Sequence, residues 1–365
     1  MGIKNLSVLI KDLYFDISVK EFAGKRIAID GNNWMFANMC ISRKRIVMNS
    51  NAPHEEIDEF KIRKDWLIMC VNFVINLLGL DIVPVIVFDG QNQENKSETQ
   101  SKRREDKLKM KAQVDDLEKQ IKSDELQDPK VLEDLIMNYK KKLSNIAYVT
   151  SENRDILKNT LIKIGIPVLQ ADGDGERLCS SLCTEGKVAA LFSTDSDVLV
   201  HGAPLTIKGY SKENESCFRC VRLDHVLDKL KLNRSEFVDL CIMCGCDYNS
   251  NIPKIGAKKS LKLIQEFKSI DNLKNLKIEI LNHMKCRILF SPQSSGIDFK
   301  LEIDKEQLNE CGEFLNSQNI GFLIESLTQI YFGVSSEHEG TLVDLGMKEI
   351  QKYSPPVVKR KFKLV

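Results

Sequence analysis

Apolar residues in this chain come in short runs that end on acids, and between those runs they recur at helical spacing. KRIAID and DIVPVIVFDG are brief Ile- and Val-rich segments with Pro and Gly punctuation, which predicts buried strands running into Asp30 and Asp89. Between them, KIRKDWLIMCVNFVINLLGL has helical periodicity and ends at Gly79, a good helix stop. DILKNTLIKIGI predicts an amphipathic helix, PVLQA a strand, and GERLCSSLCTEG a helix ending at Gly186. KVAALFSTDSD and SCFRCV predict further strands, the first running into Asp195 and Asp197. Strand–helix–strand alternation predicts an α/β fold with a mostly parallel central sheet flanked by helices. Ligands of such sheets bind beyond the carboxyl ends of the strands, where Asp30, Asp89, Asp195 and Asp197 fall.

From about residue 95 to 145 the pattern changes, and Lys, Arg, Asp, Glu and Gln dominate. SKRREDKLKMKAQVDDLEKQIK and, after Pro129, KVLEDLIMNYKKKL predict two helices whose narrow apolar faces suit a pair projecting from the body. Pattern alone leaves open a solvated hairpin or a partner-binding coiled coil. SEFVDLCIMCGCDY and NIPKIGAKKSLKLIQEF predict two helices joined by a basic turn. Beyond residue 270 the reading thins to one apolar helix in FLIESLTQIYFG and a flexible basic tail, SPPVVKRKFKLV.

Composition adds limits. With 365 residues, 42% hydrophobic and 29% charged, the chain can bury a large core as a soluble protein. A net charge of +1 gives no global pull toward nucleic acid, so any such argument must be local. MGIKNLSVLIKDLYFDI is charged throughout, unlike a signal peptide; it fits the myristoylation pattern poorly, since Ser7 carries the hydroxyl where position six is needed. No apolar stretch is long enough to span a bilayer. The expectation is a soluble intracellular protein whose 11 cysteines are reduced. Cys217, Cys220, Cys241 and Cys244 have zinc-ribbon-like spacing, but a strand would point the first pair to opposite faces and the second lies in an apolar segment. Buried thiols are the preferred reading of all four.

Seven carboxylates sit at the ends or mouths of the apolar runs: Asp30, Asp89, Asp174, Glu176, Asp195, Asp197 and Asp247. Crowding acids where buried strands emerge is unfavourable, because like charges repel and burial disfavours ionisation. Hard divalent cations relieve both effects, and an acid set without His or Cys partners points to magnesium or manganese. Taken singly, each acid also reads as a helix N-cap or a solvated loop residue, most readily Asp174 and Asp197.

The order of MGIKNL, RIAID, VIVFDG, GIPVLQADGDGE, STDSD, FVDLCIMCGCDY and IPKIGAKKS resembles the flap endonuclease family of structure-specific 5′ nucleases, over about residues 1 to 270 and more weakly to 335. The resemblance implies a PIN-like nuclease core with a helical arch and a helix-hairpin-helix element. It divides residues 1–335 into a nuclease part (1–95), the arch (96–150), a second nuclease part with the hairpin (151–270) and a C-terminal helical part (271–335), followed by a tail (336–365). It implies that the seven acids hold two Mg²⁺ ions, with Mn²⁺ able to substitute. Lys96 and Arg103, seven apart on one helical face, match the family's cations at the base of the arch and would hold the scissile phosphate. Phe36, with Trp34 nearby, matches a base-stacking aromatic. Gly2 and the hairpin residues Lys254, Gly256, Lys258 and Lys259 would contact DNA, the last two through phosphates.

Departures from the family pattern are visible. Asp174 stands where Glu is usual, and Gly173 and Gly175 beside it are expected to loosen the helix start. Lys254 replaces the hairpin's first glycine, which argues against the K⁺ ion often bound there. QKYSPPVVKR lacks the motif that docks family members on a sliding clamp. The expected activity is metal-dependent cutting of DNA at 5′ flaps and single-strand/duplex junctions by a monomer. The expected place is the nucleus in a eukaryote, otherwise the cytoplasm or a viral replication site. A 5′→3′ exonuclease or junction resolvase is the nearest alternative, an RNA-cleaving nuclease a further one, and a noncatalytic DNA-binding protein on the same fold is the alternative from another class.

Overall fold

The computed structural model describes residues 2–90, 97–123, 128–274, 276–297 and 311–332, with no side chains described for 97–100. Lys96 and the basic tail therefore lie outside the described residues. The strands are β1 (Phe15–Ser18), β2 (Lys25–Asp30), β3 (Ile82–Phe88), β4 (Val168–Gln170), β5 (Ala190–Phe192), β6 (Leu205–Tyr210) and β7 (Cys217–Arg222). They form one sheet in the order β1-β7-β6-β5-β2-β3-β4. From β6 to β4 all neighbours are parallel, while β7 pairs antiparallel with both β6 and β1. The mostly parallel sheet expected from the alternation is thus present, with an antiparallel margin.

Strand alternation explains the unbroken apolar runs, since both faces are covered. Ala28, Val85, Val87 and Leu191 enter one core, and Ile27, Ile29, Ile86 and Phe88 enter the other. The helices are α1 (Ser7–Ile10), α2 (Gly31–Met48), α3 (Glu59–Gly79), α4 (Ser97–Ile121), α5 (Pro129–Ser144), α6 (Ser151–Lys163) and α7 (Gly175–Thr184). After them come α8 (Asp197–Val200), α9 (Leu223–Leu230), α10 (Arg234–Cys244), α11 (Ala257–Phe267), α12 (His283–Phe290), α13 (Gly312–Ser317) and α14 (Ile324–Phe332). Trp34, Trp66 and Leu157 bring α2, α3 and α6 onto the second core. Cys179, Phe237 and Leu240 bring α7 and α10 onto the first. Cys220 belongs to the second core but Cys241 and Cys244 to the first, so the two cysteine pairs are separated.

α3 ends at Gly79, as expected, and the left-handed residue beyond it is Asp81, at φ +59°. A short polar side chain tolerates that region better than most. Contrary to expectation, the charged pair α4 and α5 is more than a solvated projection. Val114, Ile121, Tyr139 and Ala52 bury themselves in a third small core, with Leu117, Leu132, Leu135 and Leu143 packed around it. Two anchors fasten α5 to α2 and the loop after it, Lys140 Nζ to the Ser50 carbonyl at 2.5 Å and Arg43 Nε to the Leu143 carbonyl at 3.4 Å. A narrow stripe suffices because two such stripes face each other.

Candidate active site

Because β2, β3 and β5 run in parallel, their carboxyl ends open on one rim. Asp30 closes β2 and caps α2 by accepting from Asn33 N at 3.1 Å. Its second oxygen accepts from Ser193 Oγ at 2.9 Å, which joins it to the end of β5. Ser193 Oγ in turn accepts from Asp195 N at 3.1 Å, and Asp195 Oδ1 accepts from Asp197 N at 3.2 Å. Asp30, Asp195 and Asp197 are only 1%, 7% and 2% exposed, a severe environment for three acids. Burial pushes the Asp30 carboxyl up to about 7; the Asn33 and Ser193 hydrogen bonds oppose that, and the charges of Asp89 and Asp195 add to it.

Asp89, just beyond β3, is held from two sides. Gly175 N, at the start of α7, donates to Oδ1 at 2.8 Å, and Asn32 Nδ2 donates to Oδ2. A side chain at residue 175 would put its Cβ 2.9 Å from Asp89 Oδ1. Gly175 therefore does not simply loosen the helix: it lets α7 approach the Asp89 carboxylate closely. Asp174 is the N-cap of α7 but makes no side-chain cap bond; it accepts instead from Tyr248 OH. Burial and the neighbouring Asp174, Glu176 and Asp197 charges push the Tyr248 hydroxyl well above its ordinary value. Asp247, next in sequence, accepts from Arg103 Nη2 at 3.0 and 2.7 Å through its two oxygens. The arch is thereby tied to the rim.

Gly2 also lies at this rim, against Asp195, where a Cβ would sit 1.9 Å from Oδ1. Phe36 is half-buried on α2, with Lys107 of the arch 5.6 Å from its ring centroid. Trp34 is buried against Phe73 and so is the core aromatic of the pair. Several charges on and just after α4 pair locally, as in Lys109–Glu105 and Lys122–Glu118 at 2.6 and 2.5 Å, whereas Arg103 reaches Asp247 and Lys107 donates to the Ala147 carbonyl at 2.9 Å. The hairpin between α10 and α11 lies beyond Asp247. Lys254, Gly256, Lys258 and Lys259 are exposed there, and no side chain caps the start of α11. Lys254 takes φ +63°, the left-handed conformation that glycine serves best, so the turn is kept without the glycine.

Sequence reasoning missed several members of this site. Ser193 bridges Asp30 and the Asp195 backbone, and Asn32 supports Asp89. Tyr248, in the CGCDY segment, holds Asp174. Lys208 in LTIKGY had a detectable signal, a lone cation in a strand-like run. Its Nζ donates to the Asp195 carbonyl at 2.5 Å. Burial lowers its pKa to about 8, against the opposing pull of Asp195, Glu176, Asp197 and Asp30.

The donor chemistry fits a hard cation. All seven acids offer oxygen, Asn32 Oδ1 is buried without a hydrogen-bond partner among the described residues, and Asp30 is resisting ionisation. Among the described residues no three His, Cys, Asp or Glu side chains already meet in a single ion cage. The charges of Asp89 and Asp195 act on Asp30, Asp174, Glu176 and Asp197 join them through Tyr248 and Lys208, and Asp247 is placed by its pair with Arg103.

Comparison with known proteins agrees with this geometry. Residues 1–110 match the model of the XPG N-terminal domain and residues 165–247 that of the XPG I-region. Flap endonuclease 1-A of Sorghum bicolor is 32% identical over 297 residues, covering 79% of this chain and 71% of the relative. Flap endonuclease 1 of Brugia malayi is 31% identical over 294 residues, with the same coverage of 79% and 71%. The catalytic core of Rad2, solved in complex with DNA substrate, shares the fold with a TM-score of 0.63 at 17% identity, covering 91% of this chain and 99% of that one. No described helix is long and apolar enough to cross a membrane. With its acids on one rim, an arch tied to them and both domain models in order, the chain belongs to the flap endonuclease family of structure-specific 5′ nucleases.

Proposed function

We propose that this nuclease cuts DNA phosphodiesters where a single-stranded 5′ flap meets duplex, using two Mg²⁺ ions held by the rim acids. The observation that carries the reading is the linkage of Asp30, Asp89 and Asp195 at the carboxyl ends of parallel strands, with the Asp30 carboxyl pushed up by burial and, to a lesser degree, by the charges of Asp89 and Asp195. Asp30, Asp89, Asp174, Glu176, Asp195, Asp197 and Asp247 would hold the ions. Bound there, such ions would supply the chemistry of activating water and stabilising charge on the leaving phosphate oxygen.

The chain's own residues do the rest. Ser193 and Asn33 orient Asp30, Gly175 and Asn32 orient Asp89, and Tyr248 orients Asp174. Arg103 reaches the rim from the arch and, with Lys96, positions the scissile phosphate and meets its growing negative charge. That guanidinium pairs with Asp247, so engaging a phosphate means exchanging one oxyanion for another. Phe36 stacks on a base at the junction, a contact indifferent to sequence. Lys258, Lys259 and the uncapped start of α11 grip duplex phosphates away from the cut.

A double-flap substrate, a blunt duplex and a four-way junction, each assayed with Mg²⁺ and with EDTA, test this directly. One end-labelled product, cut at the flap base, is expected from the wild type and none from Asp195→Asn. Mononucleotides from the blunt duplex as the main product would assign an exonuclease instead. Symmetric nicking of the junction would assign a resolvase. Tight flap binding with no cleavage under any divalent ion would leave a noncatalytic protein.

A further inference from the structure

One residue of β6 breaks the regular pairing of its strand. The ladder with β7 matches Ile207 with Cys220 and then Gly209 with Arg219, so Lys208 is the extra residue of a bulge. Bulges re-aim the side chain they insert. Here the bulge sends the lysine stem to the acid rim, where Nζ meets the carbonyl of Asp195 at 2.5 Å. Four rim acids act on that ammonium, Asp195 most strongly, then Glu176, Asp197 and Asp30. Arg103 serves a different place, pairing with Asp247 from the arch.

Three of those four acids are nearly sealed from water, at 1% to 7% exposure, so solvent screens their repulsion poorly. A fixed cation beside them lowers that repulsion whether or not any ion has arrived. We propose that Lys208 is a positioning residue: an internal counter-cation that keeps the Asp195–Asp197 turn and the acid rim assembled in the metal-free protein. Lys208 offsets carboxylate charge by Coulomb attraction and fixes the turn through the Asp195 carbonyl. The inference rests on the acids forming one charged site, as in the function proposed above.

The test uses the whole chain and the variants Lys208→Met and Asp195→Asn/Lys208→Met, melted in EDTA and again in excess Mn²⁺. In EDTA, K208M is expected to melt roughly 3 °C or more below the wild type. Removing the rim charge that acts most strongly on Lys208, with Asp195→Asn, should return at least half of that loss, because less repulsion remains to be offset. Mn²⁺ should raise the melting temperature of K208M more than that of the wild type, since the ion supplies the missing charge. Equal Mn²⁺ shifts in the two proteins would overturn the proposal, as would K208M melting with the wild type in EDTA. If K208M does not fold, the double variant decides: folding supports the counter-cation, and failure to fold overturns it. A wild type indifferent to Mn²⁺ would instead defeat the metal-site reading, while the two EDTA comparisons would still judge Lys208.

Discussion

Replacing Gly175 with alanine separates stability from catalysis, because its two effects fall on different parts of the molecule. At the first position of α7, alanine favours the helix over glycine by up to about 1 kcal/mol. Its Cβ, however, would lie 2.9 Å from Asp89 Oδ1 and 3.4 Å from Asp89 N. An ordinary carbon–oxygen approach is about 3.3 Å, so the carboxylate must yield by roughly 0.4 Å. The yielding atom is the end of a side chain, which makes the move inexpensive for the fold. For the chemistry it is not, since active-site groups need placement within about 0.5 Å and a displacement of about 1 Å loses on the order of a hundredfold. Scaled to this shift, G175A should lower single-turnover cleavage of a flap substrate roughly 3- to 10-fold while its melting temperature stays within about 2 °C of the wild type. Gly79→Ala is the control: its Cβ meets only Ile330 Cδ1 at 4.0 Å, and it should leave cleavage alone. Full cleavage by G175A, or a loss matched by a large drop in melting temperature, would refute the reasoning.

Tyr248→Phe removes the hydroxyl that holds Asp174, and a hydrogen bond to a carboxylate is worth about 1.5–3 kcal/mol. Urea titration in EDTA should register that loss in wild type but little of it in an Asp174→Ala background; equal losses in both would deny the coupling. Arg103→Ala should slow the chemical step at least tenfold more than it weakens flap affinity, as read by single-turnover rates against fluorescence-anisotropy binding. Similar falls in both would make the residue a binding contact only. Lys258→Ala with Lys259→Ala should weaken duplex binding and lower the slope of log affinity against log salt by about 1.8, since each neutralised phosphate adds about 0.9 to that slope. An unchanged slope would remove the hairpin from the interface.

Local pattern was enough to read the central strands β2, β3 and β5, though not β1 or β6, because a strand buried on both faces must be apolar throughout and its acids can only fall at its ends. Asp30, Asp89 and Asp195 were legible in that way, and parallel alternation was enough to place them on one edge. The packing of the arch was not legible, since the thin stripes of α4 and α5 look solvated until they are seen to face each other. Gly175 looked like a weak helix start because propensity describes one helix at a time, whereas its reason lies 86 positions away in Asp89. Ser193, Tyr248 and Lys208 gained their roles in the same manner, from neighbours that only folding supplies. Sequence by itself determined which segments bury and where charge must surface. Tertiary structure decided which charges meet, because electrostatic and steric coupling depends on distance through space, and the chain's linear order does not record it.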